Sequence, residues 1–327
     1  MSGARGVTLL SAGGTIAMTG AGGGPARPEL GADALLGAVP GLAEHGDLRA
    51  RTLDTRASVQ LDGAGALAIA RAAADEAMRG RGVVVTHGTD TLEEVAFLCD
   101  LLYGGTAPVV FTGAMRPASS PGADGPANLA DAVALASSSA AEGMGVLVAF
   151  AGEVHAARFV RKADSTGPAA FASPNGGPLG HVAEGRAVVE RRLARQPPLE
   201  VERLDGVVHV VTAGLAAGGE LLDAAIDAGA DGLVAVVLGA GHTPPAFLAA
   251  LERACARVPV VATVRPERGA ILRSTYGFAG AEGDLRASGV LCAGILSPAA
   301  ARIKLLACIG AGGDRGAIAA AFAGDDR

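Results

Sequence analysis

The sequence predicts an α/β protein of two α/β domains with mainly parallel sheets, a larger N-terminal domain followed by a smaller C-terminal one. Three observations carry that reading. Short apolar runs alternate with helical periodicity along the chain. The runs are continuously apolar rather than alternating, as in strands covered on both faces. One charged, proline-containing stretch, 191-RRLARQPPLEVE-202, interrupts the alternation and marks a connection.

In the first domain Val7–Ser11, Gly82–Thr86, Pro108–Thr112 and Met144–Phe150 read as buried strands. Gly63–Arg79, Thr91–Tyr103 and Pro126–Ser139 carry helical stripes. Beyond the connection, Val207–Thr212, Gly232–Leu238 and Val258–Val264 read as strands, and Gly219–Ala228, Pro245–Ala256 and Pro298–Ile309 as helices. The domains are placed at residues 1–194 and 206–327, with a linker at 195–205. Right-handed crossovers bring the strand C-termini to one edge of each sheet, where ligands bind in open α/β folds. The glycine-rich Gly20–Pro28 is expected to be a loop just after the first strand, in the position of a lid or binding loop.

Composition narrows the function. Of 327 residues, 50% are hydrophobic and 18% charged, enough to fill two cores and too apolar for long disorder. Aromatics make up 3% with no Trp, so the cores are built from Ala, Val, Leu and Ile. A net charge of −6 without a basic cluster argues against nucleic acid as the partner. Cys99, Cys255, Cys292 and Cys308 form no C-x-x-C pair and read as free thiols of a reducing compartment rather than zinc ligands. No run reaches the roughly 20 apolar residues of a bilayer span, and the apolar run Val7–Ser11 is too short for a signal peptide's core. A cytoplasmic protein without a membrane partner is expected.

The stretch 83-VVVTHGTDTLEEVAFL-98 places a strand end against a helix start. Thr91 with Glu94 has the spacing of a capping box, which starts the helix near Thr91. Thr89 and Asp90 then sit in the corner, and His87 reads as a packed structural histidine. The first strand ends similarly, in Ser11-Ala12-Gly13-Gly14-Thr15-Ile16-Ala17. The two glycines allow close backbone approach and Thr15 adds a hydroxyl. Neither a dinucleotide fingerprint nor a G-x-S-x-G elbow is present. A threonine hydroxyl needs a base or a polarising neighbour to act as a nucleophile. The candidates are His87, Asp90 and a lysine. Lysine occurs twice, at Lys162 and Lys304. Lys304 lies in a helical pattern and is expected to be solvated. Lys162 follows a strand, and unlike arginine it can lose its proton when desolvated.

Ala12-Gly13-Gly14-Thr15-Ile16-Ala17 and Thr86-His87-Gly88-Thr89-Asp90-Thr91 resemble the two motifs of the bacterial-type L-asparaginase family. Gly113–Pro117, Ala123–Leu129, Phe171–Pro174, Gly177–Gly180 and Gly294–Pro298 extend the likeness along most of the chain. The resemblance implies hydrolysis of the side-chain amide of asparagine, and often glutamine, without metal or organic cofactor. It implies Thr15 as nucleophile, Thr89 as second threonine, and Lys162 with Asp90 as the pair that activates a hydroxyl. It implies Ser58 as the holder of the substrate α-carboxylate and Asp90 as a partner of its ammonium. Gly14, Gly88, Ala114 and Val59 join the substrate-binding set. Glu282 is implied as an acid lent by a neighbouring subunit, within a homodimer or homotetramer that shares its active sites.

Three departures stand out. Met18–Glu29 holds no aromatic residue where the family's mobile loop usually carries a tyrosine; the chain's tyrosines are Tyr103 and Tyr276. Val59 follows Ser58 where a polar residue is usual. His242, in Gly239-Ala240-Gly241-His242, stands where many members have asparagine and is expected to take up an intersubunit contact. Alternatives to asparagine hydrolysis are the same chemistry on glutamine or another amide, and a non-catalytic amino-acid-binding homologue.

Overall fold

The computed structural model describes residues 5–20, 26–39, 41–42 and 47–326. Ala21–Pro25, the middle of the expected Gly20–Pro28 loop, lie outside them. The chain divides into two compact units, Met1–Pro198 and Leu199–Arg327.

The first unit runs β1 (Val7–Ala12), β2 (Met18–Thr19), β3 (Arg27–Pro28), α1 (Ala32–Gly37), β4 (Leu48–Asp54), α2 (Gly63–Met78), β5 (Gly82–His87), α3 (Leu92–Leu102), β6 (Val109–Thr112), α4 (Gly125–Ser137), β7 (Val146–Phe150), β8 (Glu153–Ala156), β9 (Arg161–Lys162), β10 (Phe171–Ala172), β11 (Gly180–Ala183) and β12 (Arg186–Val189). Its main sheet has eight strands in the order β12-β11-β8-β7-β6-β5-β1-β4. From β4 to β7 all pairings are parallel, and β8, β11 and β12 extend the sheet antiparallel. The four expected strands are β1, β5, β6 and β7, each fully buried.

Helices cover both faces. On one, Val7, Leu9, Val84, Val110 and Leu147 pack against Leu35 of α1 and Leu129 and Val133 of α4. The other is covered by α2 and α3. Asp62 caps α2, its carboxylate accepting the Gly65 N–H at 2.8 Å.

The connection leaving β1 leads to β4 on one side, and that leaving β5 leads to β6 on the other. The C-terminal ends of β1 and β5 therefore flank the topological switch point, where open α/β sheets form their binding crevice. The sequence reading lacked β4 and so could not locate this point. β4 is an edge strand whose residues alternate in exposure, with Arg49 and Arg51 on it. A search for continuous apolar runs passes over such a strand.

The stretch 191–198 is fastened to the first unit. Arg195 donates to the Gly105 carbonyl at 2.6 Å and to that of Tyr103, over whose ring its guanidinium lies 5.3 Å from the centroid, a cation–π contact.

The second unit comprises β13 (Val208–Thr212), α5 (Glu220–Asp227), β14 (Gly232–Val237), α6 (Pro245–Arg257), β15 (Val260–Val264), α7 (Glu282–Ala287), β16 (Leu291–Cys292), α8 (Pro298–Gly310) and α9 (Arg315–Ala323). Its four strands pair in sequence order, all parallel. No helix among the described residues is long and apolar enough to cross a membrane. The four cysteines are free, and burial pushes the Cys255, Cys292 and Cys308 thiols up to about 11.

Lys304 overturns an expectation. Its side chain is buried, not solvated: Nζ donates to Asp325 Oδ2 at 2.5 Å and to the Ala321 carbonyl at 2.8 Å, and stands 5.0 Å from the Phe322 ring centre. The partners come from α9 and the turn after it, a helix absent from the sequence reading. Removing one member of a buried pair strands the other charge. Asp325→Ala is expected to lower the unfolding free energy by about 3 kcal/mol or more in urea titration; a change under about 1 kcal/mol, the range of an exposed pair, would contradict this account.

Candidate active site

The ends of β1, β4 and β5 converge, and glycine lets them. Gly13 and Gly14 have φ of +72° and +84°, in the left-handed region that side chains disfavour. A β-carbon on Gly14 would lie 2.4 Å from the Gly88 Cα, and one on Gly13 would lie 2.3 Å from the Arg56 carbonyl oxygen. One on Gly88 would lie 2.6 Å from Ser58 Oγ. Gly14 and Gly13 thus meet neighbouring backbone, and Gly88 meets the Ser58 side chain, so the three corners are held in close contact. Gly14 leads into a 3-10 turn, Thr15–Ala17, in which Ile16 and Ala17 are buried and Thr15 is half-buried. The Thr15 hydroxyl makes no hydrogen bond among the described residues. Gly88 leads into Thr89 and Asp90.

Lys162 is carried to this corner on β9. Its Nζ donates to Thr89 Oγ1 at 3.0 Å and to Asp90 Oδ1 at 2.7 Å. Thr89 is buried, Asp90 is largely exposed, and the Lys162 side chain keeps 19% of its exposure. The group is therefore shielded beneath and open to solvent on one side. The Lys162 N–H donates to Glu93 Oε2 on the first turn of α3. Burial pushes the Glu93 carboxyl up to about 7; Glu94 adds to this, while the Lys162 N–H and the charges of Arg161 and Lys162 pull it back.

Of two nearby residues, Thr91 departs from its pattern and His87 follows its own. Thr91 does not cap α3 with its side chain. Its hydroxyl donates to the Ser58 carbonyl at 3.3 Å, tying the 3-10 segment Ser58–Gln60 to the β5 corner. The competing acceptor lies across the corner, which the i,i+3 spacing of a capping box cannot reveal. His87 is fully buried, with Nδ1 2.9 Å from the Gly88 carbonyl and its ring tilted against Phe111. Burial lowers its basicity, so the ring is neutral at pH 7 and serves packing.

Residues 6–195 match the family described as "Asparaginase, N-terminal", and residues 207–322 the one described as "Glutaminase/Asparaginase C-terminal domain". The chain belongs to the asparaginase family. It is 35% identical over 308 residues to the probable periplasmic L-asparaginase of Haemophilus influenzae, covering 91% of this chain and 87% of that one. It is 32% identical over 289 residues to the glutaminase-asparaginase of Pseudomonas aeruginosa, covering 84% and 76%. The crystal structure of a probable cytoplasmic L-asparaginase from Campylobacter jejuni superposes with a TM-score of 0.84 at 28% identity, covering 98% of this chain and 99% of that one.

Within this asparaginase-family chain, the structure gathers Gly14, Thr15, Ser58, Gly88, Thr89, Asp90 and Lys162 at the switch point. Val59, beside Ser58, is 67% exposed. Ala114 is fully buried in the apolar cluster with Ile16.

Glu282 and His242 lie in the second unit and make a cluster of their own. Glu282 Oε1 accepts the N–H groups of Thr275 and Tyr276, the latter at 2.8 Å. Its Oε2 is buried without a hydrogen-bond partner, 3.6 Å from His242 Nε2. Burial works against the charge, but the two N–H groups and His242 hold the carboxyl below its usual range. The His242 ring stacks edge-on against Tyr276 and Phe278 at 4.8 and 4.9 Å, and both of those rings are about half exposed.

The sequence reading passed over Glu93 and gave no role to Asp124 and Asn128, which it quoted only within Ala123–Leu129. Asp124 accepts the Met115 and Arg116 N–H groups, and Asn128 bridges the Gly113 carbonyl and the Ala151 N–H, fixing the corner after β6. The available signal was weak: an acid in a first helical turn, and a polar side chain inside an apolar helix. Among the described residues no group of three or more His, Cys, Asp or Glu is placed to hold a metal ion.

Gly80 supplies a control for the corner, with φ of +87° and nothing within 4 Å of an added β-carbon. Gly80→Ala is expected to cost the strain alone, about 1–3 kcal/mol in chemical denaturation. Gly14→Ala adds the collision with Gly88 and should cost clearly more; equal losses would show that the corners are not in obligatory contact.

Proposed function

We propose that the chain hydrolyses the side-chain amide of L-asparagine to L-aspartate and ammonia. The observation that carries this reading is the lysine ammonium bonded to both Thr89 Oγ1 and Asp90 Oδ1 on the corner locked against the Thr15 turn. An amide is a weak electrophile with a poor leaving group. Its hydrolysis needs a nucleophile, stabilisation of the developing oxyanion and a proton for the departing nitrogen.

The Thr15 hydroxyl is the nucleophile in this reading. It forms a bond to the amide carbon, ammonia leaves with a proton, and water then cleaves the acyl-threonine to aspartate. Backbone N–H groups at Gly14, Thr15 and Thr89 face the oxyanion. Thr89 and Lys162 form the proton path, since the same 3.0 Å separation lets Nζ donate to, or when neutral accept from, the Thr89 hydroxyl. Asp90 holds Lys162 and meets the substrate ammonium, and Ser58 takes the α-carboxylate.

Glu282 and His242 complete the site from a neighbouring copy, in a homodimer or homotetramer. The support is Glu282 Oε2, a buried carboxylate oxygen with no partner of its own. Tyr276, beside it, is the aromatic hydroxyl that such a copy would bring. The free cysteines favour a reducing compartment such as the cytoplasm. A second substrate, glutamine, is favoured by the glutaminase-asparaginase name of the Pseudomonas relative.

Ammonia release from asparagine and from glutamine tests the reading. Asparagine turnover is expected, with Thr15→Ala, Thr89→Val and Lys162→Met each down by at least about 10²-fold. Full activity in any variant removes the role given to that residue; aspartate binding without turnover would favour a non-catalytic homologue. Sedimentation should show a dimer or tetramer of the 32.0 kDa chain, and a monomer with full activity would refute the shared site.

A further inference from the structure

Lys162 reaches its two acceptors from a weak platform. β9 and β10 are two residues each and pair only with one another, and so short a ladder is marginal by itself. In an antiparallel pair, residues alternate between those that exchange hydrogen bonds and those that do not. The Ala163 N–H donates to the Ala170 carbonyl at 2.7 Å. Lys162, one residue earlier and opposite Phe171, therefore stands at a non-bonded position with its N–H pointing out of the ladder. That N–H finds the Glu93 carboxylate.

Glu93 has a placement no other acceptor would match. Thr89, Asp90 and Glu93 all belong to one junction, the end of β5 running into the first turn of α3. The bond from Glu93 thus references the lysine backbone to the same rigid body that presents the lysine's two targets. A shift of β9 would otherwise alter both Nζ contacts at once.

We propose that Glu93 is the positioning residue for Lys162: by accepting the Lys162 N–H it fixes the backbone from which Nζ engages Thr89 and Asp90. This rests on the assignment of Lys162 to the proton path. Glu93 acts through Lys162 and does not itself meet the substrate.

The chemistry of the carboxyl makes the test clean. The groups that face it are Glu94 on its own helix and Arg161 and Lys162 on β9. Its pKa in the fold, about 7, lies above the ordinary 4.5, so the folded state holds the proton between those values. Its stabilising contribution is complete below pH 4.5 and is lost as the pH rises through 7. At pH 8 a glutamine, which keeps an acceptor oxygen and carries no charge, should leave Tm unchanged or raise it.

Glu93→Gln and Glu93→Ala are compared for kcat and KM, for Tm at pH 8, and for the Cε signals of protein labelled with 13C-lysine. With two lysines in the chain, Lys162 and Lys304 each give one signal, assigned with Lys162→Met. Glu93→Ala is expected to lower kcat by about 10- to 10²-fold at nearly constant KM, the scale of a 1 Å misplacement. It should also move the Lys162 signal and leave that of Lys304. Glu93→Gln should keep kcat within about 3-fold and leave both signals in place, because the acceptor survives. Wild-type kcat and an unmoved Lys162 signal in Glu93→Ala overturn the inference. So does a Glu93→Gln enzyme as slow as Glu93→Ala, which would make the charge and not the acceptor the active element. Full activity in Lys162→Met overturns the proposed function instead, and this inference with it.

Discussion

Gly14 meets Gly88 at a separation that leaves no room for a side chain on Gly14, and Ser58 in turn fills the space a side chain on Gly88 would need. Around that contact the architecture of the site is arranged. It brings the end of β1 against the end of β5, on the two strands whose connections depart in opposite directions. The Thr15 turn and the Thr89–Asp90 corner are thereby held as two walls of one crevice. The Ser58 segment joins as a third wall, leaning on Gly88 and bonded through its carbonyl to Thr91.

The two buried lysine environments show how context divides one residue type. Lys304 is enclosed with a buried carboxylate and an aromatic ring, an arrangement that fixes α9 and leaves nothing for a ligand. Lys162 is enclosed on the protein side, yet its carboxylate partner Asp90 is 58% exposed. A cation whose counter-charge faces water can exchange partners with a substrate; a cation sealed with its counter-charge cannot. The same logic separates the histidines. His87 is sealed inside the first unit, while His242 keeps a quarter of its side chain at the surface beside an unsatisfied carboxylate oxygen.

Much of the fold was legible because the central strands are continuously apolar and the helices between them carry clear stripes. β1, β5, β6, β7, β13, β14 and β15 follow their expected positions to within a residue or two. What was missed lies at edges. β4 alternates, β8, β11 and β12 add antiparallel strands outside the parallel block, and β9 and β10 are too short for periodicity. The motif pair pointed to Thr15, Thr89 and Asp90, and the wider resemblance to Ser58 and Lys162; the structure brings these five residues to one place. Side-chain choices were not legible. Thr91 had a local partner by spacing and took a distant one, Lys304 looked solvated on a helix whose neighbour had not been recognised, and Glu93 was given no role. Each depends on an element far away in sequence.

The scarcity of aromatics makes the chain's two phenols spectroscopic reporters. With no Trp and two tyrosines, the chain carries one phenol in each unit: Tyr103 is fully buried under Arg195, and Tyr276 is about half exposed against His242. Near-ultraviolet emission of the native protein therefore comes from two phenols that differ in exposure, without any label. A quencher in solution reaches Tyr276 and is shut out from Tyr103, so one ring reports on the surroundings of Glu282 and the other on the integrity of the sheet that holds the crevice.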